Sequence, residues 1–205
     1  TLLQSSAASD VYKRQIIRLA KKGFELAMKR SKRLCCVDKA NVMESSRLWR
    51  ETVQGLEKEY PQVEVSYELV DAVAMRLVQW PNSYDVLITE NLFGDILTDE
   101  ASVISGSMGL MPSASIGNGN ALYEPIHGSF PQATGKNIAN PLATILSAAM
   151  MFEMSFNLFE EGKLIRKVVN TSLNNEIVTE DLSENKKSYK TSEVGDYLVE
   201  KILSE

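Results

Sequence analysis

The chain has 205 residues, of which 44% are hydrophobic, and its 22 Lys and Arg against 27 Asp and Glu give a formal net charge of −5. Because this much apolar material can form a large core, the composition excludes disorder and collagen-like order. The acidic balance offers no broad positive field, so nucleic acid is not an expected partner. At roughly 150 residues per domain, the length fits one large domain, two small ones, or a part of a longer protein.

The sequence also argues against a membrane-spanning segment and against a zinc site built from Cys and His. No run of about 18 apolar residues occurs, so we expect no membrane span. Cys35 and Cys36 are neighbours that point to opposite faces of an extended segment, which suits neither a chelate nor an ordinary disulfide. This cysteine usage predicts a cytoplasmic protein. Because His127 is the only histidine, a metal ion would have to be held by oxygen.

Taken in chain order, the pattern predicts alternating strands and helices. Residues 1–15 resemble translated adapter sequence, and we predict a non-native leader there. From Ile16 apolar residues recur at helical spacing. The next predicted elements are a strand at 34–37, a helix at 46–59, a strand at 63–70, a helix at 71–79, a strand at 84–89 and a helix from about Asp95. This alternation predicts an α/β architecture.

The second half of the chain begins with loops. Residues 94–141 contain seven of the 11 glycines and four of the 6 prolines, which predicts loops suited to binding. Asn140 and Pro141 then predict the start of a helix that is apolar almost all round and therefore buried. A helix at 162–173 and a last helix capped by Ser192 complete the prediction.

Two carboxylates, Asp95 and Asp99, stand four residues apart near a predicted helix start, so both project from one face. On spacing alone we favour simple complementarity with the helix dipole, because acidic first turns are common. The alternative is a hard divalent cation such as Mg²⁺ or Mn²⁺, whose charge removes the repulsion between the carboxylates.

Other candidates lie in turns and loops. Lys39 and Asp71 each follow a predicted strand, where α/β sheets place functional side chains. Asp71 fits a helix cap at least as well, and a turn lysine is usually only solvated, although a desolvated lysine can move a proton. His127 lies in a loop between glycines whose backbone amides could hold a nucleotide, but no GxGxxG motif follows a strand.

Together these residues resemble a known family. The motifs are ValAspLysAlaAsnVal at 37–42, SerSerArgLeuTrpArgGlu at 45–51, LeuValAspAlaValAlaMet at 69–75, ThrGluAsnLeuPheGlyAspIleLeuThrAspGlu at 89–100, LeuMetProSerAlaSer at 110–115, and GluProIleHisGlySer through AsnIleAlaAsnPro at 124–141. They are similar to the isocitrate/isopropylmalate dehydrogenase family, the metal-dependent β-decarboxylating dehydrogenases. SerArgLeuTrpArgGlu favours the isopropylmalate branch.

The resemblance implies an isopropylmalate dehydrogenase-like two-domain α/β fold with its N-terminal half missing. Residues 16–105 would be part of the dimer-forming substrate domain and 106–205 the C-terminal part of the nucleotide-binding domain. The implied reaction is NAD-dependent oxidative decarboxylation of 3-isopropylmalate to 2-oxoisocaproate (4-methyl-2-oxopentanoate) in leucine biosynthesis. The implied assembly is a homodimer with active sites shared between subunits.

Site residues follow from the same resemblance. Lys39 and Asn41 match catalytic positions, and Asp71, a substrate-site residue, joins Asp95 and Asp99 as a ligand of Mg²⁺ or Mn²⁺. Lys39 and Asp71 would reach into the partner's site. The implied NAD-binding residues are His127, Gly128, Ser129, Phe130, Pro131, Gln132, Ala133, Thr134, Gly135, Lys136, Asn137, Ile138, Ala139 and Asn140.

Departures from the family pattern leave alternatives open. Gln132 stands where many members have an aspartate that contacts the adenosine ribose. A glutamine can still hydrogen-bond a ribose hydroxyl, but it supplies no positive charge to bind a 2′-phosphate. We therefore expect NAD rather than NADP as the cofactor. The family's substrate-binding arginines and catalytic tyrosine lie in the missing half, so we predict that residues 16–205 alone are inactive. The alternatives are another β-decarboxylating dehydrogenase, of the isocitrate or tartrate type, or an inactive dimerising fragment.

Overall fold

A computed structural model describes residues 2–183 and 187–205 of the chain. The chain divides into two compact units, Thr1–Ala101 and Ser102–Glu205. Residue 1 of the predicted leader and residues 184–186 of the predicted second domain lie outside the described residues. The assignment of dimer-forming and nucleotide-binding roles to 16–105 and 106–205 stays a prediction. Within the described ranges, no helix is both long enough and apolar enough to cross a membrane.

The first unit is an α/β layer structure. Its elements are α1 (Leu2–Met28), β1 (Arg33–Asp38), α2 (Glu44–Leu56), β2 (Glu64–Leu69), α3 (Val70–Gln79), β3 (Val86–Ile88) and most of α4 (Asn91–Ile104). The strands form a parallel sheet in the order β2-β1-β3. Parallel neighbours need a crossover, and here α2 and α3 lie between consecutive strands. The predicted α/β class is therefore confirmed.

The central strand β1 is buried on both faces because its residues 34–37 are all apolar. On the Cys36 face, α1 and α2 supply Phe24 and Trp49 to the core. On the Cys35 face, α3 supplies Val73 and Leu77, and α4 adds an apolar residue of its own. The adjacent cysteines thus point to opposite faces, as the sequence predicts.

Helix α1 is longer than predicted. We expected it to begin near Ile16, but it begins at Leu2. The side chain of Tyr12, one turn before Ile16, packs against the core, and its hydroxyl donates to Glu90 Oε1 at 2.5 Å. The predicted helix start at Ile16 was therefore wrong. The non-native origin of these residues stays a prediction.

The two thiols are free and buried. Burial raises the pKa of Cys35 to about 11 and that of Cys36 to about 12. Cys36 Sγ also accepts a hydrogen bond from Trp49 Nε1 at 3.1 Å. Since the thiolate is the reactive form, both side chains are held in the inert state near neutral pH.

We predict that neither thiol reacts with a thiol-specific reagent in the native protein at neutral pH, whereas both react after unfolding. Because the folded pKa values exceed the ordinary 9.0, these groups stabilise the fold below pH 9.0, and that contribution is lost as the pH rises through about 11 for Cys35 and about 12 for Cys36. Labelling followed by peptide mass analysis measures the first effect and urea unfolding across this pH range the second. The variant Cys35→Ala is the control, and rapid native labelling of Cys35 would contradict the prediction.

Among its described residues, the second unit contains a hairpin and three complete α-helices. Its elements are β4 (Pro112–Ile116), β5 (Ala121–Pro125), α5 (Leu142–Ser155), α6 (Phe159–Asn174) and α7 (Thr191–Ser204). β4 and β5 pair antiparallel, and α5 packs on them. The helices enclose a core of Leu142, Val168, Val169, Val194 and Leu198. We had expected a helix from about Asp95 and then loops up to 141, so the hairpin was missed.

Three helix starts in this unit differ from expectation, and one of them is α6, which begins at Phe159 and not at 162. Asn140 Oδ1 accepts from the backbone N–H of Leu142 at 3.0 Å, but the N-cap of α5 is Pro141 and not Asn140 as predicted, because the helix begins one residue later, at Leu142. Ser192 does not cap α7, because the helix already begins at Thr191. Helix α5 is also less buried than its apolar sequence predicts, since Met154 is exposed.

Candidate active site

A buried ion pair shapes the turn that follows β1. The carboxylate of Asp38 is fully buried, and it accepts from Arg50 Nε at 2.8 Å and Arg50 Nη2 at 2.9 Å. Asp38 Oδ1 also accepts from the backbone N–H of Ala40 at 2.9 Å. Two-pronged contact with a guanidinium fixes both oxygens. These contacts therefore fix the start of the turn that carries Lys39 and Asn41.

Arg47, a second arginine of α2, contacts the same turn. Arg47 Nε donates to the backbone oxygen of Ala40 at 2.9 Å. The backbone oxygen of Lys39 accepts from the N–H groups of Val42 and Met43, at 3.1 and 3.0 Å. These contacts close the turn before α2 and leave Asn41 exposed.

Lys39 and Asp71 meet at the carboxyl edge of the sheet. Their backbones are neighbours because Asp38 of β1 pairs with Leu69 of β2 in parallel register. Lys39 Nζ donates to Asp71 Oδ1 at 2.6 Å, and this hydrogen bond is the main reason that the pKa of Asp71 lies below its usual value. Lys39 is thus more than a solvated turn lysine. Asp71 lies in the first turn of α3 and does not act as its cap.

Helix α4 begins at Asn91, one turn earlier than predicted, so Asp95 and Asp99 fall outside its first turn, which contains no acid. The dipole interpretation favoured on spacing alone was therefore wrong. Both aspartates are exposed. They lie on the same face as three exposed apolar residues at helical spacing, namely Leu92 (64% exposed), Ile96 (57%) and Val103 (79%).

The three candidate metal ligands do not come together in one chain. Over residues 2–183 and 187–205, no group of three or more His, Cys, Asp or Glu side chains could hold a metal ion. Asp71 is instead bonded to Lys39. Asp95 and Asp99 alone supply a pair of hard oxygen ligands one turn apart, which is chemically suited to Mg²⁺ or Mn²⁺ but incomplete.

The candidate nucleotide loop, residues 127–140, is exposed except for its first and last residues, which are half-buried, and Ala133, which is buried. His127 Nδ1 contacts the backbone oxygen of Gly128 at 3.0 Å. Gly135 has φ +74°, a conformation in which a side chain is strained. Lys136 is the only Lys, Arg, Asp or Glu residue in this stretch.

Comparison with known proteins identifies the family to which the chain belongs. The model of the isocitrate/isopropylmalate dehydrogenase family matches residues 4–198. The chain belongs to this family. It is 54% identical over 196 residues to the 3-isopropylmalate dehydrogenase of Bacteroides fragilis, covering 95% of this chain and 55% of that protein. It is 58% identical over 160 residues to the enzyme of the same name from Oceanobacillus iheyensis, covering 78% of this chain and 44% of that protein.

Solved structures of the family agree. The isocitrate dehydrogenase of Methylococcus capsulatus has a TM-score of 0.88 at 35% identity, over 93% of this chain and 56% of that one. A β-decarboxylating dehydrogenase of Thermococcus kodakarensis has a TM-score of 0.83 at 36% identity, over 94% and 56%. The family resemblance and fold predicted from sequence are confirmed. The chain spans about half the length of the isopropylmalate dehydrogenases it matches.

Sequence reasoning missed the residues that hold the candidate site in place. Asp38 precedes Lys39 at the end of an apolar strand, and a buried carboxylate requires a partner, so an arginine in the following amphipathic helix was the available signal. Asp181 is a similar case, since its Oδ2 accepts from Asn140 Nδ2 at 3.0 Å. It lies 41 residues from Asn140, and no local pattern connects them.

Proposed function

We propose that the protein containing this chain is an NAD-dependent 3-isopropylmalate dehydrogenase of leucine biosynthesis. The reaction converts 3-isopropylmalate and NAD⁺ to 4-methyl-2-oxopentanoate, CO₂ and NADH. The observation that carries the proposal is the Lys39–Asp71 contact at the carboxyl edge of the sheet, in a chain whose relatives bear that name. Family enzymes generally use NAD and a divalent metal.

Lys39 is the residue we assign to proton transfer. Its side chain is 24% exposed, so it is largely desolvated yet open to a ligand. The turn contacts of Asp38, Arg47 and Arg50 fix its backbone. From that position the neutral amine of Lys39 would take the proton of the substrate hydroxyl as hydride leaves the same carbon, and Asp71 would then hold the resulting ammonium in place. Asn41, exposed in the same turn, would contact the substrate.

The metal site would be completed by a second copy of the chain. Asp95 and Asp99 of one subunit and Asp71 of the partner subunit would hold Mg²⁺ or Mn²⁺. When bound, the ion supplies Lewis acidity toward the substrate oxygen. Support comes from α4, where Asp95 and Asp99 share a face with the exposed Leu92, Ile96 and Val103. An exposed apolar stripe is typical of a protein interface, and α3 exposes Met75 and Val78 as well.

We expect chelation of divalent ions to abolish activity of the complete protein and Mg²⁺ or Mn²⁺ to restore it, because only hard oxygen ligands are available. Asp95→Asn should raise the metal concentration needed for half-maximal activity by about tenfold or more, since it removes one charged ligand. Glu161→Gln, an exposed acid of α6, is the matched control. Full turnover in the presence of excess chelator would contradict the metal assignment.

We also expect NAD to be preferred over NADP by about tenfold or more in kcat/KM, since Gln132 offers a hydrogen bond to a ribose hydroxyl but no charge for a 2′-phosphate. Gln132→Lys should raise kcat/KM for NADP. A preference of the unaltered protein for NADP would refute this and would direct attention to Lys187 and Lys190 near α7.

The substrate assignment is tested by comparing 3-isopropylmalate, isocitrate and tartrate with the complete protein. The account predicts the highest kcat/KM for 3-isopropylmalate. Isocitrate is the second candidate because the similar structure from Methylococcus capsulatus is an isocitrate dehydrogenase, and a higher value for isocitrate would overturn the assignment. Turnover of none of the three would favour a non-catalytic dimerising protein.

A further inference from the structure

The candidate nucleotide loop is tied to the last helix through Asn137. The backbone oxygen of Asn137 accepts from the N–H of Thr191 at 3.0 Å. Its Oδ1 accepts from the N–H of Ser192 at 3.0 Å, and its Nδ2 donates to Ser192 Oγ at 2.8 Å. Thr191 Oγ1 in turn donates to the backbone oxygen of Ala139 at 2.6 Å. Four hydrogen bonds therefore join residues 137–139 to the first turn of α7.

These contacts supply hydrogen-bond partners to the N-terminal N–H groups of α7. The first N–H groups of a helix have no partner within it, and they are usually bonded by the side chain of the N-cap residue. The N-cap residue here is Lys190, and its ammonium group carries no hydrogen-bond acceptor atom that could serve these N–H groups. Asn137 supplies the missing acceptor from 55 residues away. To do so its backbone adopts φ 55°, a left-handed conformation that asparagine tolerates better than most residues.

The far end of the loop is held separately. Asn140 Oδ1 accepts from Leu142 at the start of α5, and its Nδ2 donates to Asp181 Oδ2. Asp181 also accepts from the hydroxyls of Ser107 and Thr179. Partial desolvation raises the pKa of Asp181, but these hydrogen bonds outweigh it and the net pKa lies below the usual value. The hydrogen bonds of Asn140 fix only the junction between the loop and α5. The position of the exposed loop residues that precede this junction therefore depends on the contacts of Asn137.

We propose that Asn137 is a positioning residue for nucleotide binding, which holds the loop open against α7 so that its peptide groups are arranged before the ligand arrives. This inference rests on the proposed function of residues 127–140. A loop already held in place loses less conformational freedom on binding, so the anchor should appear as affinity for the nucleotide. It should contribute little to the chemical step, because proton transfer is assigned to Lys39 and metal binding to the aspartates.

Three variants and one control separate this role from general stability. Asn137→Gly keeps the left-handed backbone and removes both side-chain bonds. Asn137→Asp retains the acceptor for Ser192 N–H at a helix N-terminus, where a negative charge is favourable. Ser192→Ala removes only the bond from Asn137 Nδ2. The control is Asn157→Gly in the turn between α5 and α6, because Asn157 has nearly the same φ of 56°.

Binding of NADH to the complete protein, followed by fluorescence, gives the affinity without turnover. We expect Asn137→Gly to weaken binding about tenfold, Ser192→Ala about threefold, and both Asn137→Asp and Asn157→Gly by less than about twofold. The KM for NAD should rise in parallel while kcat at saturating NAD stays near that of the unaltered protein. NADH should also slow hydrogen exchange of the Thr191 and Ser192 amides in the unaltered protein and not in Asn137→Gly.

The inference is overturned if Asn137→Gly binds NADH as tightly as the unaltered protein, or if Asn157→Gly weakens binding equally. If Asn137→Gly does not fold, unchanged affinity in Ser192→Ala overturns it. Failure of the unaltered protein to bind NADH at all refutes the proposed function itself, and this inference with it.

Discussion

Replacing Lys39 by alanine in the complete protein should lower kcat by a factor of about 10²–10⁴, the range expected for loss of a positioned general acid or base. The fold should survive, because the turn is held by Asp38 and Arg50 rather than by the Lys39 side chain. Lys39→Arg should lower kcat almost as far, since arginine can keep the ion pair with Asp71 but cannot release a proton near neutral pH.

The matched control for this experiment is Lys58→Ala, which removes an exposed lysine of the same unit and should leave kcat unchanged. Steady-state kinetics at saturating NAD, substrate and Mn²⁺ measures the effect. Retention of more than about a tenth of the activity in Lys39→Ala would show that another group moves the proton.

Replacing Arg50 by methionine should lower the free energy of unfolding by about 3 kcal/mol, near the lower end of the effect expected when a buried charge loses its partner. Asp38 is fully buried, so it would keep an uncompensated charge with only the Ala40 N–H as donor. The lower end of that range applies because the Arg50 side chain is itself 30% exposed.

Urea unfolding measures this change, and Lys163→Met is the control. Lys163 pairs with Glu160 on the exposed side of α6, so its loss should change the free energy of unfolding by less than about 1 kcal/mol. The double variant Asp38→Asn with Arg50→Met should regain part of the stability, because the buried charge is gone. Equal effects of Arg50→Met and Lys163→Met would refute this account of the turn.

Elements with a strong local pattern were predictable, and those set by distant contacts were not. β1 is an apolar run bounded by polar residues, and β2 alternates, so both strands were found from sequence. The β4–β5 hairpin was missed because its glycines and prolines were interpreted only as loop residues. The cluster GlyAsnGlyAsn at 117–120, which joins its strands, was the unused hairpin signal.

The candidate site likewise has residues whose proximity was predictable from sequence and residues whose contacts were not. Lys39 and Asp71 follow neighbouring parallel strands, so their proximity could be expected from sequence. The residues that support the loop could not, because Asn137 reaches α7 and Asn140 reaches Asp181 across long separations. The relation of Asp71 to Asp95 and Asp99 is not determined within one chain at all, since one chain does not assemble the three carboxylates among its described residues.

A site shared between subunits is tested most directly by producing two variants, Lys39→Ala and Asp95→Asn, in one cell and assaying at a Mn²⁺ concentration too low for Asp95→Asn alone to turn over. In a mixed dimer, the site that takes Asp95 from the first subunit and Lys39 from the second is intact, and the other site lacks both. Random pairing makes about half of the dimers mixed, each with one of two sites intact, so about a quarter of the unaltered activity should return. If Lys39 and Asp95 instead act within the same subunit, every site lacks one of them and the mixture stays as inactive as each variant alone.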